Sequence, residues 1–278
     1  MTSVQKAIKY LAMAFAIFLT VSIIGGIFTG LAGVSYIFSD HEKDAVVGEM
    51  QSYPTDGEIS SLSLNLSAAD LRIKTSDKFS VESNHQYISV SLNDGKLCID
   101  ETKNVFSPFY NNVTVILYVP ENLVFDEVQI ETDAGEVKID TLSADVLKLS
   151  LGAGETEIKN LSVNSRADID GGVGELTIDG GTLRNLELEM GVGELTLKSR
   201  IEGKCDLDFG IGEANLTILG SREDYQIELD KGIGEAKLEG KSMKDDSVYG
   251  AGVNHIEIDG GIGEMNIRFL ENEIQQAA

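Results

Sequence analysis

The sequence predicts an all-β chain: a parallel β-solenoid (β-helix-like) with roughly 19–20 residues per coil, preceded by one N-terminal transmembrane helix. Three observations carry this. A Gly-x-Gly-Glu turn followed by alternating apolar residues returns along residues 133–269, with its glutamates at Glu136, Glu155, Glu175, Glu194, Glu213, Glu235 and Glu264. Their intervals of 19, 20, 19, 19, 22 and 29 residues give the near-constant period of a stacked repeat. Glycine is abundant (29) and proline scarce (3), and tryptophan is absent, which suits many tight turns between short strands. Residues 10–39 carry no charged side chain, a stretch longer than the roughly 20 residues that cross a bilayer.

Taken in order, residues 1–9 read as a cytoplasmic N-terminus and residues 10–39 as the transmembrane helix. Lys6 and Lys9 precede the span while Asp40, Glu42 and Asp44 follow it, so the positive-inside rule places the N-terminus in the cytoplasm and the remainder outside. The predicted location is the cell membrane, single-pass, with the C-terminal domain extracellular. A cleaved signal peptide is the competing reading, but its apolar core runs to only ~7–15 residues. Gly26 and Gly30 form one small-x-x-x-small pair through which two such helices can approach, a route to a homo-oligomer. Plain tolerance of glycine in lipid explains the same pair.

Residues 40–58 turn polar and lose periodicity around Pro54 and Gly57, as a linker does. The solenoid is expected over 59–269. Its first coil has Leu62, Leu64 and Leu66 alternating, Ser67-Ala68-Ala69-Asp70 in place of the glycine turn, then Leu71 and Ile73. The same grammar is read at Ile88, Val90 and Leu92, a turn at Asn93-Asp94-Gly95, then Leu97 and Ile99; Val113, Val115 and Leu117 lead to Pro120. Beyond Pro120 each coil has an apolar triplet, a glycine turn and an apolar pair, as in Leu186, Leu188, Met190 before the turn and Leu195, Leu197 after it. Alternation puts these side chains on one face of a strand, and a two-strand unit hides that face only by stacking on its neighbours. The residues between the paired glycines (Ala153, Val173, Val192, Ile211, Ile233 and Ile262) are expected to plug the corner. A loop around 241–247 accounts for the last long interval, and residues 270–278 are the expected cap on the open edge of the last coil.

The formal charge of -24 argues against nucleic acid, which demands a basic face. Cys98 and Cys205 lie far apart in the repeat order and are expected to stay unpaired. No cofactor is expected. In-register coils would stack the glutamates ~4.8 Å apart, each neighbour pair repelling by roughly 1 kcal/mol in water. A column of this kind (Glu155, Glu175, Glu194, Glu213 and Glu235) is either a solvated polar corner or a collector of Ca²⁺ through carboxylate oxygens. The calcium-binding β-roll nonapeptide matches Gly171-Gly172-Val173-Gly174 but has Leu176 where an aspartate ligand belongs. His41, His85 and His255 show no metal-ligand or catalytic spacing, with His255 read as a surface strand residue, and every Gly-x-Gly opens a strand instead of a helix. No catalytic residue is assigned. Phe106, Phe109 and Tyr110 form an aromatic loop that either stacks on a ligand such as a sugar ring or plugs the stack.

Residues 59–269 resemble the DUF4097 family, also known as candidate adhesin domains, of bacterial cell-envelope proteins. The resemblance rests on the run from Pro120 into Val124-Phe125-Asp126-Glu127-Val128-Gln129-Ile130-Glu131-Thr132, on Ala134-Gly135-Glu136-Val137-Lys138-Ile139, and on the later Gly-x-Gly-Glu coils. It implies a parallel β-solenoid on the cell surface, often beside envelope-stress regulators, and brings no catalytic residues. The expected function is a membrane-anchored, non-enzymatic surface that binds a protein or glycan. A regulatory or sensing partner of an envelope-stress membrane protein is the alternative, and a polysaccharide-active β-helix enzyme a remote one.

Overall fold

Period-two burial runs along nearly every strand, and that alternation, repeated coil after coil, builds the core. The computed structural model describes residues 47–55, 57–102 and 113–271, all within the larger of the chain's two units. The expected span at 10–39, His41, the aromatic loop with Phe106, Phe109 and Tyr110, and the tail from 272 onward lie outside the described residues. Among the described residues no helix is long and apolar enough to cross a membrane.

The first half comprises β1 (Val47–Tyr53), β2 (Ser61–Leu66), β3 (Asp70–Ser76), β4 (Ser80–His85), β5 (Ile88–Asn93), β6 (Lys96–Glu101) and β7 (Thr114–Pro120). It is followed by β8 (Phe125–Asp170), β9 (Val173–Ile178), β10 (Thr182–Arg184), β11 (Leu186–Glu202) and β12 (Lys204–Leu219). The chain ends on β13 (Tyr225–Asp230), β14 (Ile233–Leu238), β15 (Lys241–Ser242), β16 (Ser247–Gly250) and β17 (Asn254–Leu270). β8 is 46 residues long because the chain keeps its extended hydrogen bonding through the corners of successive coils.

The coils stack in parallel register, as the repeat predicts. Leu188 pairs with Leu207 and Glu194 with Glu213, and Glu175 pairs with Glu194 on the preceding coil. The inward residues are almost fully buried: Leu64, Ile130, Leu188, Leu197, Leu216 and Ile258 are each at most 1% exposed. Burial of each such side chain contributes about 1.5–3 kcal/mol. A third inward row completes each coil through Leu142 and Ala144, Leu161 and Val163, then Leu183 and Ile201. The coil is therefore more than the two-strand unit the sequence suggests; one or two apolar residues per turn are too few to register as alternation.

The first turn behaves as read. Ser67–Asp70 lies on the 133–136 turn of the next coil, with Ala134 N–H donating to Ser67 O and Glu136 N–H to Asp70 Oδ1. The expected coil at Ile88–Ile99 is instead an antiparallel hairpin, in which β5 pairs with β6 and Asn93 faces Lys96. Asp94 (φ 47°) and Gly95 (φ 80°) make the turn, and two consecutive positive φ angles match the twist of a tight hairpin.

Coil order departs from chain order at both ends. β2 lies between β6 and β8, and β3 between β7 and β8. At the other end β17 is held between β12 and the β13–β14 pair: Ile258 pairs with both Leu207 and Leu229, and Ile267 with both Leu216 and Leu238. The last coil in sequence is thus second to last in space. The tail read as a cap follows a coil that already has a neighbour on each side, and from 272 onward it lies outside the described residues. The outermost coil is β13–β14, and its edge is covered by antiparallel β16 and β15, Leu229 facing Ser247 and Lys237 facing Ser242. The segment read as a loop leaving the stack supplies this cover, which blunts an otherwise open parallel edge.

Among the described residues one histidine–carboxylate contact is buried. His85 Nε2 lies 3.2 Å from Glu101 Oε1, with both side chains at most 4% exposed. Tyr87 N–H donates to His85 Nδ1 at 3.1 Å, so the ring proton sits on Nε2 and points at the carboxylate. Glu101 Oε2 also accepts from Ser67 N–H at 2.7 Å, tying this pair to the first turn of the stack. Glu101→Ala is expected to lower stability by about 2–6 kcal/mol, since it removes the acceptor that His85 Nε2–H and Ser67 N–H share; chemical denaturation of wild type and variant measures the difference.

Candidate functional site

The repeated corner is where the sequence concentrates unusual chemistry. Two glycines flank it in each coil from 152–154 onward, and the second explains why no other residue serves. Gly212 has φ 148°, and a Cβ there would meet Gly193 O at 1.7 Å. The same contact recurs down the stack, with Gly154 against Gly135 O, Gly193 against Gly174 O, Gly263 against Gly212 O and Gly234 against Gly263 O. Each glycine carbonyl occupies the space a side chain on the next coil would need, a close approach that only glycine allows.

The residues between the glycines do not plug the corner, as the sequence suggests they should. Ala153, Val192, Ile211, Ile233 and Ile262 are half-buried and Val173 is 43% exposed. The inward rows end at Phe209 and restart at Ala214, so the corner shifts the alternation by an odd step and turns Ile211 outward. In register order Ala153, Val173, Val192, Ile211, Ile262 and Ile233 form an apolar ridge along the stack.

Carboxylates flank this ridge on both sides. On one side stand Glu155, Glu175, Glu194, Glu213, Glu264 and Glu235, all exposed and in register. The expected column is therefore present, but Glu264 is inserted between Glu213 and Glu235. On the other side stand Asp170, Glu189, Asp208, Asp259 and Asp230, also in register and exposed. Sequence reading missed this second column, although an acidic residue two positions before the first glycine recurs as Asp170, Glu189, Asp208, Asp230 and Asp259.

Cations gather elsewhere. Lys159–Asp140, Lys198–Asp179 and Arg184–Glu202 pair at 2.7–2.8 Å away from the corner, and Arg166–Glu187 at 2.6 Å two residues along the strand from Glu189, each worth at most about 1 kcal/mol. At the ends of the glutamate column Lys138 pairs with Glu136, and Lys237 with Glu235 at 3.1 Å. Among the described residues no lysine or arginine lies within ion-pair distance of Glu155, Glu175, Glu194, Glu213 or Glu264, nor of Asp170, Glu189, Asp208 or Asp259. Desolvation pushes the Asp208 carboxyl above the usual aspartate range, and Asp259, which shares a hydrogen bond with it, pushes the same way.

Beside the ridge an open groove of about 470 Å³ is walled by Asp170, Glu189, Asp208 and Asp259, with Met190 and Phe209 beneath. The ladder glutamates do not converge in threes. Among the described residues the one acidic group whose ligand atoms lie within 4.8 Å of one another is Asp230, Asp245 and Asp246, outside that ladder and fully on the surface. His85 is taken by its buried pair, and His255 is an exposed strand residue, as read from sequence. Cys98 and Cys205 are both free thiols. Burial pushes the Cys205 thiol up to about 11, which leaves it an inert core group.

Comparisons place this architecture among known proteins. A candidate adhesin from Bacteroides fragilis has a crystal structure similar to the chain at a TM-score of 0.50, with 13% identity over 78% of this chain and 95% of that one. A candidate adhesin from Parabacteroides distasonis gives a TM-score of 0.44, with 16% identity over 80% of this chain and 98% of that one. Likeness at such identity speaks to the fold alone. No curated protein matches the sequence. The family model described as Toastrack DUF4097 matches residues 59–267, the stretch that the stacked coils occupy. With its glycine corners, its parallel ladders and that match over most of its length, the chain belongs to the Toastrack DUF4097 family.

Proposed function

We propose that the chain is a single-pass cell-envelope protein whose solenoid serves as a non-enzymatic, adhesin-like binding surface outside the cell. Residues 10–39 anchor it, with Lys6 and Lys9 on the cytoplasmic side. The observation that carries the reading is the in-register corner: the same exposed side chains recur from coil to coil, and extended repeat surfaces of this kind suit binding to long partners. Membership in a family whose solved relatives include candidate adhesins points the same way.

The test has two arms. Protease added to intact cells carrying the full chain with a C-terminal epitope is expected to remove the epitope; protection would overturn the topology. Such cells are expected to be retained on at least one surface of an immobilised protein and glycan array more strongly than cells carrying a chain without residues 59–269. Equal retention across the array would overturn the adhesive reading and favour a regulatory role through the helix and linker.

A further inference from the structure

We propose that the glycine corner is a docking track for an extended basic segment of a partner protein, with apolar residues seated on the ridge and cationic residues reaching the two acidic columns. This rests on reading the solenoid as a binding surface and names the face and the chemistry of its partner.

Charge decides the sign of the partner. The ridge of Val173, Val192, Ile211 and Ile262 lies between carboxylate columns, the ion pairs of the described lysines and arginines lie outside it or at the column ends, and Lys231 sets a cation only at the outermost corner. A second copy of this chain, with its formal charge of -24, would bring like charges together. An apolar ridge alone would accept any greasy partner. Flanked as it is, it repels acidic ones and favours a cationic segment through long-range attraction.

Spacing decides the conformation. Coils repeat every ~4.8 Å, so two coils span ~9.6 Å. A polyproline II segment repeats every three residues, or ~9.3 Å, close to that two-coil step. Its three edges also match the track: one apolar edge faces the ridge while two basic edges overhang the columns. A strand repeats its side-chain face every ~6.7 Å and loses step with the coils. From Ala153 to Ile233 the ridge crosses six coils, a length of about 24 Å at that spacing, which some eight or nine polyproline II residues would cover.

The experiment uses the full-length chain in detergent micelles and a labelled peptide of three Pro-Lys-Lys repeats. Saturable binding is expected, weakening about tenfold or more as salt rises from low to physiological strength. Val192→Ser with Ile211→Ser, and separately Glu194→Gln with Glu213→Gln, are each expected to weaken it about tenfold. Asp145→Asn with Glu202→Gln removes the same charge beside the third inward row, away from the corner, and is expected to leave it unchanged. Hydrogen exchange of the unsubstituted chain, free of any folding concern, is expected to slow at residues 191–194 and 210–213 when the peptide is added. Absence of binding, equal losses from both charge pairs, or indifference to the ridge substitutions would each overturn the track. Cells that still adhere to an array surface when all four corner substitutions are combined would overturn it while leaving the adhesive reading in place.

Discussion

Gly212→Ala is expected to destabilise the solenoid by more than about 4 kcal/mol, or to prevent folding. The new Cβ would lie 1.7 Å from Gly193 O at a φ of 148°, and the obstruction is backbone on a coil held from both sides. Moving it means breaking ladder bonds to Gly174 and to Gly212, so strain and lost hydrogen bonding add together. Gly240→Ala provides the contrast. Gly240 also has a positive φ of 71°, but nothing lies within 4 Å of its added Cβ, so only the conformational penalty of about 1–2 kcal/mol applies. Denaturant unfolding of the two variants side by side measures the gap, and equal losses would mean that coil-to-coil approach does not select glycine.

Removing residues 251–278 is expected to cost about as much as the whole domain is worth. The loss includes the core contacts of Ile256, Ile258, Met265 and Ile267, each at most 6% exposed; at about 1.5–3 kcal/mol apiece they approach the 5–15 kcal/mol that holds a typical domain together. A terminal coil trimmed from an ordinary solenoid would leave the rest capped by its neighbour. Here β13 and β14 reach β12 only through β17, so two coils come away at once and two parallel edges open. The truncated chain is expected to be insoluble or to lose hydrogen-exchange protection across 225–238. Ile258→Asp, which leaves the length intact, is expected to give the same loss of protection.

Local rules were readable in the sequence wherever they repeat. Alternation at Leu186, Leu188 and Met190 and again at Leu195 and Leu197 named the inward faces, and the glycine period named the corners. Coil order was not readable, because parallel coils with nearly the same sequence are interchangeable as neighbours. Glu213 is as good a partner for Glu264 as for Glu235, and the sequence interval of 29 shows only that something is inserted. Strand direction at Asn93–Lys96 was lost for a related reason: Asp94-Gly95 ends an apolar run in a coil and in a hairpin alike. At the candidate site the glutamates were conspicuous beside their glycines. Ile211 was misread because the odd step in the alternation falls at Gly210, just before it, where no side chain marks the change of face. The Asp208 column was passed over because it sits in the polar half of an ordinary alternating strand.

The intercalated last coil is the central claim, and paired cysteines test it most directly. In a background of Cys98→Ser and Cys205→Ala, Asp208→Cys is combined with Asp259→Cys or with Asp230→Cys. Asp208 and Asp259 are register partners, as are Asp230 and Asp259, and adjacent strands bring such residues to the ~5 Å that a disulfide spans. Rapid oxidation of the 208–259 pair, with the 208–230 pair left reduced, is the predicted result. Efficient cross-linking of 208 to 230, with 208 and 259 unlinked, would show coils stacked in chain order and contradict the account.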